Sequence, residues 1–268
     1  MTLLRRGDVG AEVRELQRLL RVRGARIDLT GAFDDATAAA VVVAQARYGL
    51  VVDGAVGNKT LLALQLDGRI PGHLGAEDLR RAARTLNVKL AAVRAVNEVE
   101  SQGSGFLPDG RPVILFERHI MYRQLRAAGH DADQLARQYP NIVNPARGGY
   151  MGKAAEHMRL AQAAGLDQVC ALASASWGLF QIMGYHWERL GYANVHAFAD
   201  AMRSGESQQL DAFVQFIATD PTLHKALTGL KWAAFASGYN GAAYKENLYD
   251  VKLARAFTRY EAEEQVPA

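Results

Sequence analysis

The first candidate for chemistry is a glutamate at the end of an apolar helical stripe. Residues 88–101 follow a helical pattern in which Val93, Val96 and Glu100 share one face. Because an unpaired charge is costly to bury, we expect burial to raise the pKa of Glu100 and to keep it protonated near neutral pH. A protonated carboxyl is the state that a general acid needs. The alternative is a structural glutamate paired with an arginine.

A second carboxylate, Glu117, follows the apolar run Pro112–Phe116, whose branched and aromatic residues predict a strand of a small sheet. Glycoside hydrolysis commonly uses two carboxylates, so Glu117 is the candidate partner of Glu100. The alternative is a structural acid paired with Arg118 or another cation. The histidines are isolated and show no His-Glu-x-x-His spacing, so we expect no metal site and no cofactor.

The segment 175–183 carries groups that suit a sugar substrate. Its pattern predicts a helix with Ser176 as the N-cap. In that helix Gln181 offers a donor and acceptors to hydroxyl and acetamido groups, and Trp177 offers a flat apolar face to a sugar ring. The alternative is a core helix whose glutamine is satisfied within the protein.

The segment 235–241 ends a helix that begins at Trp232. Gly238 and the pair Asn240-Gly241 favour a turn, which leaves Tyr239 at the helix end. There its phenol could bond a nearby carboxyl. The alternative is a helix cap with an aromatic plug.

The elements that must position these groups are nearly all helical. Beyond residue 76, helices are predicted at residues 77–86, 120–128, 132–138 and 153–164. The irregular segment 139–152 is typical of a functional loop at the rim of a cleft.

The first seventy residues predict three short helices joined by glycine turns. A weak repeat relates Gly31–Thr37 to Gly54–Thr60, and each copy delivers an apolar residue, Phe33 or Val56, before the helices at 38–48 and 61–66. The first helix, residues 8–22, is amphipathic, and its predicted inward face consists of Val9, Val13, Leu16, Leu19 and Leu20.

The helical periodicity is lost between Leu66 and Gly75, where turn-forming residues gather. We therefore predict a three-helix domain at 1–66, a linker at 67–75 and a larger domain at 76–268. The predicted fold class is mainly α, with a small β-sheet in the larger domain.

Composition limits the class of protein. Of 268 residues, 49% are hydrophobic and 22% are charged, which is ordinary for a globular protein. The net charge of +3 is weak support for a polyanionic partner such as a cell wall or nucleic acid. Cys170 is the only cysteine, so folding in a reducing cytosol is expected. The first residues lack the apolar core of a signal peptide, and no apolar stretch approaches the roughly 20 residues of a membrane span.

The first domain resembles a known binding module. The segments that carry the likeness are Arg6-Gly-Asp-Val-Gly10, Gly31-x-Phe33-Asp34-x-x-Thr37 and Gly49-Leu50-x-x-Asp53-Gly54-x-x-Gly57-x-x-Thr60. They resemble the three-helix peptidoglycan-binding module that accompanies many wall-degrading enzymes. Ala44 departs from the pattern, which usually has an aromatic residue there. The glycines, aspartates and threonines are also explained as turn and cap residues, so no wall-contacting residue is assigned.

The larger domain resembles the lysozyme-like superfamily in its goose-type lysozyme and lytic transglycosylase branch. The likeness rests on Glu100-Ser101, Gly178-Leu-Phe-Gln-Ile182 and Gly238-Tyr-Asn-Gly241. It is closer to the N-acetylmuramidase domain of modular phage endolysins, because segments such as Gly105-Phe-Leu-Pro-Asp-Gly110 and Leu115-Phe-Glu-Arg-His119 recur there.

The resemblance implies an enzyme that cleaves the β-1,4 bond between N-acetylmuramic acid and N-acetylglucosamine. It implies Glu100 as the general acid, Ser101, Gln181, Tyr239 and Asn240 as substrate-binding residues, and Glu117 as a candidate second carboxylate. Tyr239 would hold a substrate or catalytic carboxyl, and Ser101 would bond substrate, orient the acid or cap its own helix.

Three alternatives stay open at this point. A lytic transglycosylase would leave 1,6-anhydromuramic ends, where hydrolysis leaves reducing ends. A non-catalytic wall-binding or virion protein could keep the same fold. An amidase or peptidase could act on the stem peptide.

The expected partner is the glycan strands of peptidoglycan, without nucleic acid or stable membrane association. A monomer is compatible with the sequence, which does not decide the oligomeric state. We expect synthesis in the host cytoplasm and access to the wall through a membrane lesion made by another protein.

Overall fold

The computed structural model describes residues 3–68, 72–101 and 103–265. The chain divides into two compact units, Met1–Arg81 and Ala82–Ala268. The predicted linker 67–75 includes residues 69–71, which lie outside the described residues, so the predicted domain limits stay a prediction. The predicted fold class, mainly α with one small sheet, is confirmed, since 59% of the residues are helical.

The first unit contains three short helices, as predicted: α1 Ala11–Val22, α2 Asp35–Arg47 and α3 Asn58–Leu66. A fourth helix, α4 Ala76–Leu86, begins near its end. Phe33 and Val56, which the two repeats deliver, are buried in the core of this unit. Val9 was predicted to face inward, and this is wrong: it precedes α1 and is 77% exposed.

A buried glutamine holds each copy of the repeat. The side chain of Gln17 donates to the Thr37 hydroxyl at 2.9 Å and accepts from the Gly31 N–H at 2.9 Å. Gln45 accepts from the Gly54 N–H, also at 2.9 Å, and donates to the hydroxyl of Thr60 at 3.3 Å. Both glutamines are buried with their hydrogen bonds made inside the protein, which is the ordinary state of a buried polar group.

The second unit is a set of helices around one small sheet. After α4, its helices are α5 Leu90–Glu100, α6 Arg118–Ala127, α7 Ala132–Gln138, α8 Ala155–Ala164, α9 Gln168–Ala173, α10 Val195–Ser204, α11 Glu206–Ala218, α12 Pro221–Thr228, α13 Trp232–Asn240 and α14 Tyr249–Gln265. Its strands are β1 Ile114–Phe116, β2 Ala175–Trp177 and β3 Ile182–Met183, and 3-10 turns lie at Gly184–His186 and Ala242–Lys245.

The sheet is antiparallel in the order β1-β2-β3, with Leu115 opposite Ser176 and Trp177 opposite Ile182. The predicted strand before Glu117 is therefore confirmed as β1. The predicted helix at 175–183 is wrong, because β2 and β3 form a hairpin there. The hairpin turn requires left-handed backbone at Gly178 (φ +72°) and at Gln181 (φ +51°), which a helix cannot supply.

The irregular segment 139–152 is held by two charged side chains. Glu156, at the start of α8, accepts from the main-chain N–H groups of Met151 and Gly152 at 2.6 and 2.8 Å. Arg118 donates to the main-chain carbonyls of Ala146 and Arg147 at 3.0 and 2.8 Å. The loop thus has a defined shape without regular secondary structure.

In the described part of the chain, no helix combines the length and the apolar character needed to cross a bilayer.

Candidate active site

Glu100 is the last residue of α5 and is 6% exposed. Its Oε1 accepts a hydrogen bond of 3.0 Å from the Nδ2 of Asn240, the last residue of α13. The apolar side chains that precede it on the same face, Val93 and Val96, are buried as well. The predicted position of Glu100, buried at a helix end, is confirmed.

Burial raises the pKa of Glu100 to about 7. Two groups act against burial and lower the pKa, the side-chain amide of Asn240 and the positive charge of Lys252. Burial dominates because a carboxylate removed from water loses its hydration, and the neutral amide of Asn240 replaces little of it. The side chain is therefore present in protonated and ionised forms near neutral pH, which suits a group that must give up a proton.

Tyr239, the neighbour of Asn240 on α13, contacts the hairpin. Its hydroxyl donates to the main-chain carbonyl of Phe180 at 2.7 Å, where a bond to a carboxyl had been one expectation. Burial, followed by the nearby charge of Glu100, raises its pKa well above the usual value for tyrosine. Asn240 contacts Glu100 while Tyr239 contacts the hairpin turn. The three sequence motifs therefore meet at the end of α13.

Gln181 lies in the hairpin turn with its side-chain amide already bonded inside the protein. Its Oε1 accepts from the Ser176 hydroxyl at 2.8 Å, and its Nε2 donates to the Gly178 carbonyl at 2.8 Å. These bonds stabilise the left-handed turn. A role for Gln181 in binding sugar stays a prediction.

Trp177 was expected to present its ring to a sugar, and this is wrong. The residue is 1% exposed, and its Nε1 donates to the Leu172 carbonyl at 3.2 Å. Placing 177 on a strand of the central hairpin turns the ring into the core. Ser101 follows α5 directly, and its main-chain N–H caps the helix by donating to the Asn97 carbonyl at 3.1 Å.

Glu117 precedes α6 and is partly buried. Its Oε2 accepts from the Tyr150 hydroxyl at 2.8 Å and lies 3.0 Å from Nδ1 of His119. The alternative of a structural acid paired with Arg118 or another cation does not hold for Arg118, because that guanidinium binds the carbonyls of the 139–152 loop. Glu117 therefore has structural partners of its own, and its role as a second catalytic carboxylate stays a prediction.

Two buried residues of α11 position the site and were missed at the sequence level. Glu206 accepts from the Gly105 N–H at 2.8 Å, and Gln209 accepts from the Leu179 N–H at 2.7 Å. A Cβ atom added to Gly178 would overlap the Gln209 side chain. They tie the segment after Glu100 and the hairpin turn to one helix. The sequence pattern that could have indicated them is that Glu206 and Gln209 lie three residues apart on a helix face that is otherwise apolar.

The chain was compared with known proteins. A family model described as N-acetylmuramidase matches residues 89–261, and one described as a peptidoglycan binding domain matches residues 9–64. Among solved structures, the chain is similar to the crystal structure of the Burkholderia AP3 phage endolysin, with 58% sequence identity over 97% of this chain and 100% of that one, and a TM-score of 0.93. A search of curated proteins found no match.

Proposed function

This chain belongs to the N-acetylmuramidase family, and we propose that Glu100 is the general acid with which it cleaves peptidoglycan. The protein is a peptidoglycan-degrading endolysin, and the bond it cleaves is the β-1,4 bond between N-acetylmuramic acid and N-acetylglucosamine. One observation carries the proposal: a carboxyl buried at a helix end, with a pKa of about 7 and, among the described residues, one amide donor.

In this proposal Glu100 binds the glycosidic oxygen in its protonated form and transfers the proton as the bond to the leaving sugar breaks. The negative charge that remains on Glu100 is stabilised by the Asn240 amide and by the positive charge of Lys252. Both groups interact more strongly with the carboxylate than with the acid, so they favour the proton transfer.

The remaining site residues have supporting roles in the proposal. Ser101, Gln181, Tyr239 and Asn240 bind or orient the substrate, and Glu117 is the candidate second carboxylate that would activate water or form the glycosyl intermediate. Support for this group comes from Asn240 and Tyr239, which join Glu100 to the hairpin through adjacent residues of one helix.

The test compares Glu100→Gln with Glu98→Gln on purified peptidoglycan. Glu98 lies on the same helix, but its carboxylate accepts from the Tyr260 hydroxyl at 2.6 Å and pairs with Arg259. We expect turbidity clearing to fall about 10²–10⁴-fold for Glu100→Gln and to persist for Glu98→Gln. Equal clearing by Glu100→Gln and the wild type would refute the assignment.

Mass spectrometry of the released fragments identifies the product. Reducing N-acetylmuramic acid ends are expected from hydrolysis. Ends of the 1,6-anhydro type would instead place the enzyme among the lytic transglycosylases.

We also propose where the domain boundary lies, where the protein is made and that it acts as a monomer. A domain boundary within residues 67–75 would let a wall-binding module at 1–66 anchor a catalytic domain at 76–268.

Synthesis in the host cytoplasm, with access to the wall through a lesion made by another protein, is supported by the single buried cysteine, which needs no oxidising compartment. Action as a monomer, without nucleic acid or stable membrane binding, is tested by light scattering and by cosedimentation with DNA and lipid vesicles.

A further inference from the structure

The first unit contains a groove for which the sequence assigned no role. It lies between the C-terminal end of α1 and one face of α2, and its volume is about 390 Å³. Its α2 wall consists of small apolar side chains at helical spacing, Ala36, Ala39, Ala40 and Val43. Val43 is 67% exposed, so an apolar surface faces the opening.

Three arginines surround this apolar wall: Arg23, Arg26 and Arg47. Arg26 is exposed, and among the described residues it has no ion-pair or hydrogen-bond partner. Arg23 and Arg47 each lie 3.5 Å from a carboxylate oxygen of Asp67. The groove therefore joins an apolar wall to an excess of positive charge.

Asp67 indicates which chemistry the arginine cluster recognises. Its carboxylate pairs with Arg23 and Arg47 and accepts from the Tyr48 hydroxyl at 2.6 Å. These interactions hold the pKa of Asp67 below its usual value, with the Tyr48 hydrogen bond as the largest lowering contribution. The cluster thus already stabilises one carboxylate, and Arg26 is available for another.

We propose that this groove binds the stem peptide of peptidoglycan through its carboxylates, an inference that rests on the action of the protein on the cell wall. Peptide carboxylates complement the arginines, and small peptide side chains such as alanine match the shallow apolar wall of α2. In peptidoglycan the lactyl carboxyl of N-acetylmuramic acid is consumed in the amide bond to the stem peptide, so the free carboxylates belong to the peptide. The enzyme would then hold the wall by its peptides while the second unit cleaves its sugars.

The aromatic content of the groove also favours a peptide over a glycan. Sugar rings are commonly bound against exposed aromatic faces, and Tyr48 is the single aromatic residue in the lining. The guanidinium of Arg47 lies 5.5 Å from the centre of that ring, and the hydroxyl is bonded to Asp67. The ring is therefore engaged within the protein.

The test uses the full chain carrying Glu100→Gln and a soluble probe, a single N-acetylmuramic acid bearing a stem peptide with free carboxylates. The probe contains no β-1,4 bond that the enzyme could cleave. Calorimetric titration compares it with the same peptide in amidated form and with a peptide-free oligomer of N-acetylglucosamine. We expect saturable binding of the first probe only, weakened by added salt.

Two variants of exposed residues in the groove should weaken binding about tenfold each: Arg26→Gln removes the unpaired cation, and Val43→Glu adds a repelling carboxylate. Their matched controls are Arg14→Gln on α1 and Ala46→Glu on α2, which make the same charge changes at exposed positions outside the lining. The controls should bind the probe as the parent does. Thermal unfolding verifies that all four variants are folded.

The proposal is overturned if the free-carboxylate probe does not bind, if its amidated form or the sugar oligomer binds equally well, or if Arg26→Gln and Val43→Glu bind as their controls do. Failure of the Glu100 assignment would be seen separately, as wall clearing by Glu100→Gln. It would not alter the binding result, because the probe is not a substrate.

Discussion

Two buried glutamates in the larger unit sit in opposite electrostatic environments. Glu156 is fully buried and accepts hydrogen bonds from the N–H groups of Met151, Gly152 and Phe116 and from Arg159 at 2.7 Å. Glu100 is buried almost as deeply and accepts from the Asn240 amide. Burial alone would raise both pKa values.

The outcome differs because the partners differ. Around Glu156, burial raises the pKa, but the N–H groups of Gly152 and Met151, together with Arg159, outweigh it, so the pKa is lowered. Around Glu100, burial prevails and the pKa rises to about 7. A buried carboxylate with saturated hydrogen bonds stabilises structure, whereas an undersatisfied one is available for proton transfer. The buried side chains of Gln17 and Gln45 also have their hydrogen bonds made within the protein, and they too stabilise structure.

The largest expected effect is on stability, from Glu156→Gln. The substitution leaves the buried Arg159 without its counter-charge, and we expect the free energy of unfolding to fall by about 3–5 kcal/mol. The matched control is Asp200→Asn, since Asp200 pairs with Arg203 at the same i,i+3 spacing but on the surface, and it should cost about 1 kcal/mol or less. Urea unfolding measures both. Equal losses would contradict the structural role of the buried pair of Glu156 and Arg159.

The next effect is the part of the pH dependence of stability that comes from Glu100, which Glu100→Gln removes. A folded pKa raised from 4.5 to about 7 means that the stabilising contribution of Glu100 is full below about pH 4.5 and is lost as the pH rises through 7. The unfolding free energy of Glu100→Gln minus that of the wild type should therefore increase as the pH rises, by up to about 3 kcal/mol.

Glu156 should act with the opposite sign, since its folded pKa is lowered. Its contribution is present above the unfolded pKa of about 4.5 and is lost as the pH falls through the folded value. Urea unfolding at several pH values from about 2 to 8 gives both slopes from the wild type and the two variants. A difference between Glu100→Gln and wild type that stays constant with pH would contradict the raised pKa.

The smallest effect concerns the two groups that lower the pKa of Glu100. Asn240→Leu removes the amide that lowers this pKa, so the alkaline limb of kcat/KM should move upward by about half to one pH unit. Lys252→Gln should move it in the same direction by less, because Lys252 is exposed and its charge is screened by salt. A downward shift in either variant would contradict Glu100 as the acid whose protonated form is active.

Local sequence patterns predicted most of the helical framework. Apolar periodicity located α5 and α13, and the glycine turns of the repeat located α2 and α3. These predictions held because helical spacing and turn chemistry depend on neighbouring residues. The hairpin at 175–183 was missed because a short apolar run fits a helix or a strand equally well, and pairing with β1, some sixty residues earlier, decided between them.

The sequence by itself determined that Glu100 lies at the end of a buried helical face, because that conclusion needs only the spacing of residues along one helix. Which groups surround the carboxyl was decided by tertiary structure, since Asn240, Lys252 and the hairpin are distant in sequence. The same holds for Trp177, whose ring a strand turns into the core. A pKa depends on every dipole and charge within a few ångströms, and only the packed chain brings those groups together.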